Sequence, residues 1–115
     1  MMTRYCSYEV KQASIATGEY CNMLAMMCLQ ENNYTVCQKL LKKAAALASC
    51  SCELQVATFN NFACLFRKQN KLRMALDFLL KAIQLEAQMD HVRTVCHAIH
   101  RLTDERRPQL LQKLI

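Results

Sequence analysis

The sequence predicts an all-α protein, and three observations lead to that prediction. The 115 residues include one glycine and one proline, so few residues interrupt regular structure. Alanine, leucine, methionine, lysine and glutamine, which favour helices, are abundant. Apolar residues recur at spacings of three and four, which is the period of a helix face. We therefore expect residues 1–115 to form a single domain of antiparallel helices that pack through apolar stripes.

The best-defined unit is a helical hairpin predicted over residues 53–88. Two apolar stripes flank a polar break at residues 69–71. Small residues in these stripes let two helices approach closely, and large residues fill the space around them. This pattern is typical of an antiparallel helix pair that is joined by a short turn. The core positions predicted for this unit are Phe59, Phe62, Ala63, Phe66, Leu72, Ala75, Leu79 and Ala82.

A degenerate copy of the same unit is predicted over residues 19–48. The offset is constant, because 59 minus 21 and 72 minus 34 both equal 38. A polar turn at residues 31–33 corresponds to the break at residues 69–71 of the second unit. A fixed offset of this kind indicates an internal repeat. Cysteines stand in the first copy where the second has aromatic residues or alanine. The core positions predicted for the first copy are Leu24, Ala25, Cys28, Tyr34, Cys37, Leu41 and Ala44.

The second unit resembles a tetratricopeptide repeat (TPR), a helix–turn–helix motif of about 34 residues. The pair Asn60-Asn61 before a hydrophobic–alanine step is similar to the kinesin-light-chain style of repeat. The family's glycine before the second helix is Asn70 here, which also tolerates a left-handed backbone. The family's late proline is Ala87, so the second helix is free to continue. The resemblance implies helix hairpins stacked as a short right-handed solenoid of about five to six helices.

The segments outside the two units are also predicted to be helical. An N-terminal helix is expected over residues 3–17, with Gly18 at its end. Asp90 suits the N-cap of the third or capping helices expected over residues 90–115, and Pro108 suits the first turn of a short final helix. The last residues are apolar, whereas a solenoid normally ends on a polar face. We expect this end either to fold back onto the preceding helices or to contact another chain.

The resemblance also implies a partner-binding groove, because the first helices of stacked repeats line the inner surface. Asn61 is the strongest single candidate, since its amide offers two donors and an acceptor to a peptide backbone. Arg67 and Lys68 can meet acidic side chains or a terminal carboxylate, and methionines of the first unit offer an adaptable apolar floor. The alternative is that Asn60 and Asn61 only satisfy solvent or a neighbouring helix. The predicted groove residues are Asn22, Met23, Met26, Gln30, Asn60, Asn61, Cys64, Arg67 and Lys68.

The net charge of +6, from 15 basic and 9 acidic residues, permits several acidic partners. Aromatic residues interleaved with basic ones would favour single-stranded nucleic acid, but the aromatics here lie on apolar faces. No apolar run is long enough to span a membrane. We therefore expect a protein partner, either a peptide segment or a neighbouring subunit of acidic character, and no membrane contact. A basic helical module that binds nucleic acid is the alternative.

The eight cysteines are predicted to be reduced thiols. An even number is compatible with a disulfide framework, but most of these cysteines fall on or beside apolar helix faces, where they act as small hydrophobic residues. The first residues lack the apolar segment of a signal peptide. We therefore expect a cytoplasmic protein, with the cytoskeleton, including the microtubules of cilia, as one setting.

No constellation in the sequence supports catalysis. Cys96 and His100 are one helical turn apart, but a closed zinc site needs four ligands and no second pair has a suitable spacing. Cys50 and Cys52 are too close for the usual redox motif. The sequence contains no glycine-rich phosphate loop, nucleophile elbow or paired carboxylates. We therefore expect no enzymatic activity, no cofactor and no metal.

These observations together predict a protein-binding module, namely a TPR adaptor or scaffold or a small structural subunit of a larger complex. Two and a half repeats are near the minimum for stable stacking. We therefore expect the chain to be either a fragment of a longer array or a subunit that a larger complex holds in place, and the apolar end favours the second.

Overall fold

A computed structural model describes the backbone of residues 7–114 and the side chains of residues 7–101. This part of the chain contains four α-helices and one short 3-10 helix, and no strand, so the all-α prediction is confirmed. Residues 3–6 of the predicted N-terminal helix lie outside the described residues, as do the side chains of the apolar end. The elements are α1 Tyr8–Gln30, α2 Tyr34–Leu47, the 3-10 helix Ala48–Cys50, α3 Cys52–Lys68 and α4 Leu72–Leu114.

Two helix hairpins are closed by turns of the same geometry. Asn32 between α1 and α2 has φ 62°, and Asn70 between α3 and α4 has φ 61°. Both therefore adopt the left-handed conformation that asparagine tolerates better than most residues. The two hydrogen bonds of 2.8 Å that close the turns run from Asn33 N–H to the Cys28 carbonyl and from Lys71 N–H to the Phe66 carbonyl. The turns thus repeat at the predicted offset of 38 residues.

Polar caps determine where the first three long helices begin. The side-chain oxygens of Ser7, Asn33 and Ser51 accept hydrogen bonds from backbone amides of the first turns of α1, α2 and α3. Each cap satisfies one of the amides that a helix start leaves without a partner. Ser51 is extended, with φ −141°, and this residue separates the 3-10 helix from α3.

Helix α3 lies at the centre of the packing. It contacts α1, α2 and α4, whereas α4 contacts only α3 within the described residues. The rings of Phe62 and Phe78 stack with centroids 4.8 Å apart and join α3 to α4. Sequence reasoning missed Phe78. One cluster of buried residues crosses the helices, namely Ala25, Leu29, Cys37, Leu41, Phe62, Leu65, Phe66 and Ala75.

The predicted helix boundaries are wrong at three points. The described part of the chain has four α-helices, where about five to six were expected. Gly18 does not end a helix, because α1 continues through it to Gln30. A Cβ at Gly18 would lie 2.6 Å from Leu54 Cδ2, so this glycine provides the close approach of α1 and α3. Asp90 and Pro108 do not begin helices, because both lie within α4.

Helix α4 is much longer than its partner. Its 43 residues correspond to about 64 Å at the usual rise per residue, which accounts for the 66 Å length of the molecule. Helix α3 has 17 residues, and its first turn reaches Arg93 of α4 through the side chain of Glu53. None of the described helices combines the length and apolar character needed to cross a bilayer.

Most of the predicted core positions are buried or half-buried, and two are exposed. Nine are buried, and Leu24, Cys28, Tyr34 and Phe59 are half-buried. Leu72 and Leu79 were expected in the core, but they are 62% and 41% exposed. The reason is that α4 packs on one helix among the described residues, so only the face that carries Ala75 and Ala82 is covered. The nine buried positions are Ala25, Cys37, Leu41, Ala44, Phe62, Ala63, Phe66, Ala75 and Ala82.

Candidate protein-interaction surface

Two of the three asparagines expected in the groove, Asn22 and Asn61, form a contact between α1 and α3. The Asn61 amide donates to Asn22 Oδ1 at 3.0 Å, and the Asn22 amide donates to Thr58 Oγ1 at 3.0 Å. Thr58 in turn donates to the Leu54 carbonyl at 2.7 Å. Asn22 is 7% exposed and Asn61 is half-buried. Because buried polar groups require partners, this chain of hydrogen bonds holds the two helices together, and Asn22 is not a groove residue.

Lys68 also has a partner within the chain. Its ammonium group donates to the Leu29 carbonyl at 2.9 Å, near the end of α1. The last turn of α1 contains no basic residue of its own, so Lys68 supplies the positive charge that favours a helix C-terminus. To bind an acidic partner as predicted, Lys68 would have to give up its hydrogen bond to Leu29.

The other predicted groove residues lie on two separate helices. Met23 and Gln30 are exposed on α1, and Met26 is half-buried there. On α3, Asn60 and Arg67 are exposed. Cys64 is half-buried and packs against the core cluster.

A small notch lies between α3 and α4. Its volume is about 60 Å³, comparable to the tip of one side chain. Ala63 and Ala75 are both buried, and Leu79 and Arg67 are exposed beside them. The residues that line the notch are Ala63, Cys64, Arg67, Ala75 and Leu79.

The largest unexpected feature is an apolar stripe on the first turns of α4. We define the α4 stripe as Leu72, Leu76, Leu79, Leu80 and Ile83, whose exposed fractions range from 41% to 62%. Their spacing places them on one side of the helix, next to the face that packs on α3. Sequence reasoning assigned part of this stripe to the core. The available signal was that these turns are apolar around most of the helix, which is typical of a helix covered on more than one side.

A cleft lies at the opposite end of the α3–α4 pair. It has a volume of about 350 Å³ and is lined by Cys52, Glu53, Leu85, Gln88, Met89, Val92 and Arg93. An ion pair of 3.8 Å between Arg93 and Glu53 crosses it. Both side chains are more than half exposed, so this pair contributes little to stability. The cleft holds no side chains that sequence reasoning had selected for binding.

The described thiols and histidines offer little chemistry. Burial, together with the nearby thiols of Cys28 and Cys64, raises the pKa of Cys37, so this thiol stays protonated and is a poor nucleophile. The seven cysteines that the structure describes are free thiols, whereas Cys6 lies outside the described residues. Cys96 and His100 are exposed on α4. Within the described side chains, no group of three or more potential ligands converges on a metal position.

No protein-family model, curated protein or solved structure matches this chain. The geometry of the helices and their exposed surfaces are therefore the basis for the function proposed below.

Proposed function

We propose that the chain is a protein–protein interaction module that acts as an adaptor, a scaffold or a small structural subunit of a larger complex, and not as an enzyme. The observation that carries this proposal is the α4 stripe. Large apolar side chains that are exposed in a contiguous group mark interaction sites in water-soluble domains. The stripe also adjoins a notch, so a partner would meet both a flat apolar surface and a depression.

The proposal includes a TPR-like arrangement of the two hairpins. Three features support it: the 38-residue offset, the matching left-handed asparagines, and the position of α3 against both helices of the first hairpin. In stacked repeats each unit contacts its neighbours and buries its apolar face only by stacking. The second hairpin has a neighbour on one side only among the described residues, which explains why its apolar residues are exposed.

The proposed partner is an amphipathic helix with acidic flanks. The α4 stripe suits the apolar face of such a helix, which would lie along about four turns. Arg67, Lys71 and Arg73 are exposed around the start of the stripe, so acidic residues of the partner would meet positive charge. A neighbouring subunit of a cytoplasmic complex, including one on the cytoskeleton, would present such a helix.

Site-specific photo-crosslinking in cells tests this function. A photoreactive amino acid replaces Ile83 in the stripe, and in a control it replaces Lys81, which is exposed on α4 and lies on the side away from the stripe. We expect a discrete protein adduct from position 83, none from position 81, and loss of the adduct when Leu80→Lys is added. Position 83 giving no adduct, or an adduct with nucleic acid instead of protein, would overturn the proposal.

A further inference from the structure

The first hairpin shows how a further helix can cover a hairpin of this type. Helix α3 packs on α1 and α2, and Leu41 of α2 is consequently 0% exposed. The equivalent residue of the second hairpin, 38 positions later, is Leu79, which is 41% exposed. Tyr34 is half-buried, whereas its equivalent Leu72 is 62% exposed. We call the surface formed by Ala63, Arg67, Leu72, Ala75 and Leu79 the receiving face. It corresponds to the surface that α3 covers on the first hairpin.

The chain also carries an unpaired counterpart of the docking face of α3. Helix α3 places Leu54, Thr58 and Leu65 against the first hairpin, and all three are buried. The residues 38 positions earlier on α1 are Ala16, Tyr20 and Met27, which are exposed, and Met23 corresponds in the same way to the half-buried Asn61. We call Ala16, Tyr20, Met23 and Met27 the α1 ridge. Its tyrosine and both methionines are more than half exposed.

We propose that a second copy of this chain binds head to tail, with the α1 ridge of one copy on the receiving face of the other. The contact repeats the packing of α3 on the first hairpin, because α1 and α3 occupy equivalent positions in the two hairpins. This inference rests on the proposed interaction function and assigns a second copy to the part of the α4 stripe at Leu72 and Leu79. Each chain carries one ridge and one receiving face, and the large side chains of both surfaces, including Leu72 and Leu79, are uncovered within the described residues of the same chain.

The side chains of the two surfaces are complementary in shape. Leu65 belongs to the cluster that also contains Ala25, Cys37 and Leu41. By the same offset, Met27 of the incoming copy enters the notch of about 60 Å³ between α3 and α4. Methionine suits such a depression because its unbranched chain adapts to irregular space.

Polar groups are complementary as well. Where α3 packs on the first hairpin, the Thr58 hydroxyl accepts from the Asn22 amide, and the equivalent positions between copies are Tyr20 and Asn60, which also carry a hydroxyl and an amide. The end of α1 has no basic residue in its last turn and is followed by Glu31. It would lie beside Arg67 and the following turn, where positive charge favours a helix C-terminus.

A head-to-tail contact of this kind does not close on itself. Every added copy leaves one ridge and one receiving face open, so the expected product is an open series of chains and not a two-fold dimer. The stripe residues Leu80 and Ile83 stay outside the contact, because their equivalents on α2, Lys42 and Ala45, remain exposed beside α3. These two residues therefore stay available to a different protein.

Sedimentation equilibrium of the purified full chain under reducing conditions tests this inference. We expect the average mass of the wild type to rise with concentration beyond twice the monomer mass of 13.3 kDa. Met23→Lys places a positive charge in the α1 ridge, and Leu79→Lys places one in the receiving face. Each substitution should raise the concentration for half-association at least about tenfold, because association would bury an unpaired charge. Ile83→Lys is the matched control and should associate like the wild type.

Mixing the two variants gives the decisive result. Each retains the surface that the other lacks, so an equal mixture should form a dimer that stops at twice the monomer mass, whereas a two-fold dimer would not be restored in this way. Loss of association by Ile83→Lys, or a mixture that stays monomeric, would overturn the inference. A wild type that is helical by circular dichroism and monomeric at all concentrations would do so as well.

A cysteine substitution provides a second measurement that does not require a charge in the interface. Met27→Cys should form a disulfide with Cys64 of another copy when the protein is treated with a mild oxidant, and mass mapping identifies the linked peptides. Links that join other cysteine pairs but never positions 27 and 64 would count against the proposed register. Photo-crosslinking from position 83 to a different protein, combined with no self-association, would reject the second copy while leaving the interaction function intact.

Discussion

The contact between Gly18 and Leu54 leads to a prediction with a definite magnitude. A Cβ at Gly18 would lie 2.6 Å from Leu54 Cδ2 and 3.5 Å from Leu47 Cβ. Gly18→Ala gains about 1 kcal/mol of helix propensity. It also forces Leu54, which is buried, out of its present position, and such overpacking costs about 1–3 kcal/mol. We therefore expect the free energy of unfolding to fall by about 0–2 kcal/mol.

A double-mutant cycle with Leu54→Ala separates the two contributions. Leu54→Ala alone should cost about 2–5 kcal/mol because it leaves a cavity. In that background the Cδ2 atom is absent, so Gly18→Ala should stabilise the protein by about 1 kcal/mol. The measurement is urea unfolding followed by helical circular dichroism under reducing conditions.

The exposed residue Ala13 on the same helix provides the control. Ala13→Gly should cost about 1 kcal/mol in both backgrounds, since it reports helix propensity without a contact to α3. If Gly18→Ala changed stability by the same amount with and without Leu54→Ala, the two residues would not be coupled. The explanation of this glycine by close helix approach would then be refuted.

Three further predictions concern the turn, the polar contact and the buried thiol. Asn70→Ala should lower the free energy of unfolding by about 1–2 kcal/mol because φ is 61°, whereas Asn70→Gly should change it much less; equal effects in urea unfolding would contradict this. Thr58→Val should lower the free energy of unfolding by about 1–3 kcal/mol because the Asn22 amide loses its acceptor. The double variant with Asn22→Ala should lose less than the sum of the two single effects. Burial raises the pKa of Cys37, so mass spectrometry should show slower alkylation there than at exposed Cys50. The free energy of unfolding should also fall as pH rises above the ordinary thiol pKa of 9.0, because the unfolded thiol loses its proton first. A Cys37→Ala variant with the same pH dependence would count against that cause.

The features that sequence reasoning identified correctly depend on local structure. The breaks at residues 31–33 and 69–71 became turns, and Asn70 adopts the left-handed conformation expected at that position. Phe62 and Phe66 are buried as the spacing of three and four predicts. Each of these properties follows from backbone preferences or from the period of a helix, which a short window of sequence contains.

The features that sequence reasoning missed depend on which helix faces find a neighbour. Gly18 was assigned to a helix end because glycine often stands there, yet here it provides contact with a residue 36 positions away. Asp90 and Pro108 suited helix starts, but the chain does not turn anywhere between Leu72 and Leu114. For Asn61 the sequence left two alternatives, a groove and a neighbouring helix, and the structure shows a hydrogen bond to Asn22 of α1.

The sequence by itself therefore determined the helical class, the two hairpins, their turns and their 38-residue relation, because these follow from local propensity and periodicity. Only the tertiary structure decided that α4 is one continuous helix, that Leu72 and Leu79 are exposed, and that the asparagines join α1 to α3. An apolar stripe shows that a face requires cover, but the number and positions of the packed helices determine whether that cover is present. The exposed α1 ridge and the open receiving face are results of that packing, and no local pattern contains them.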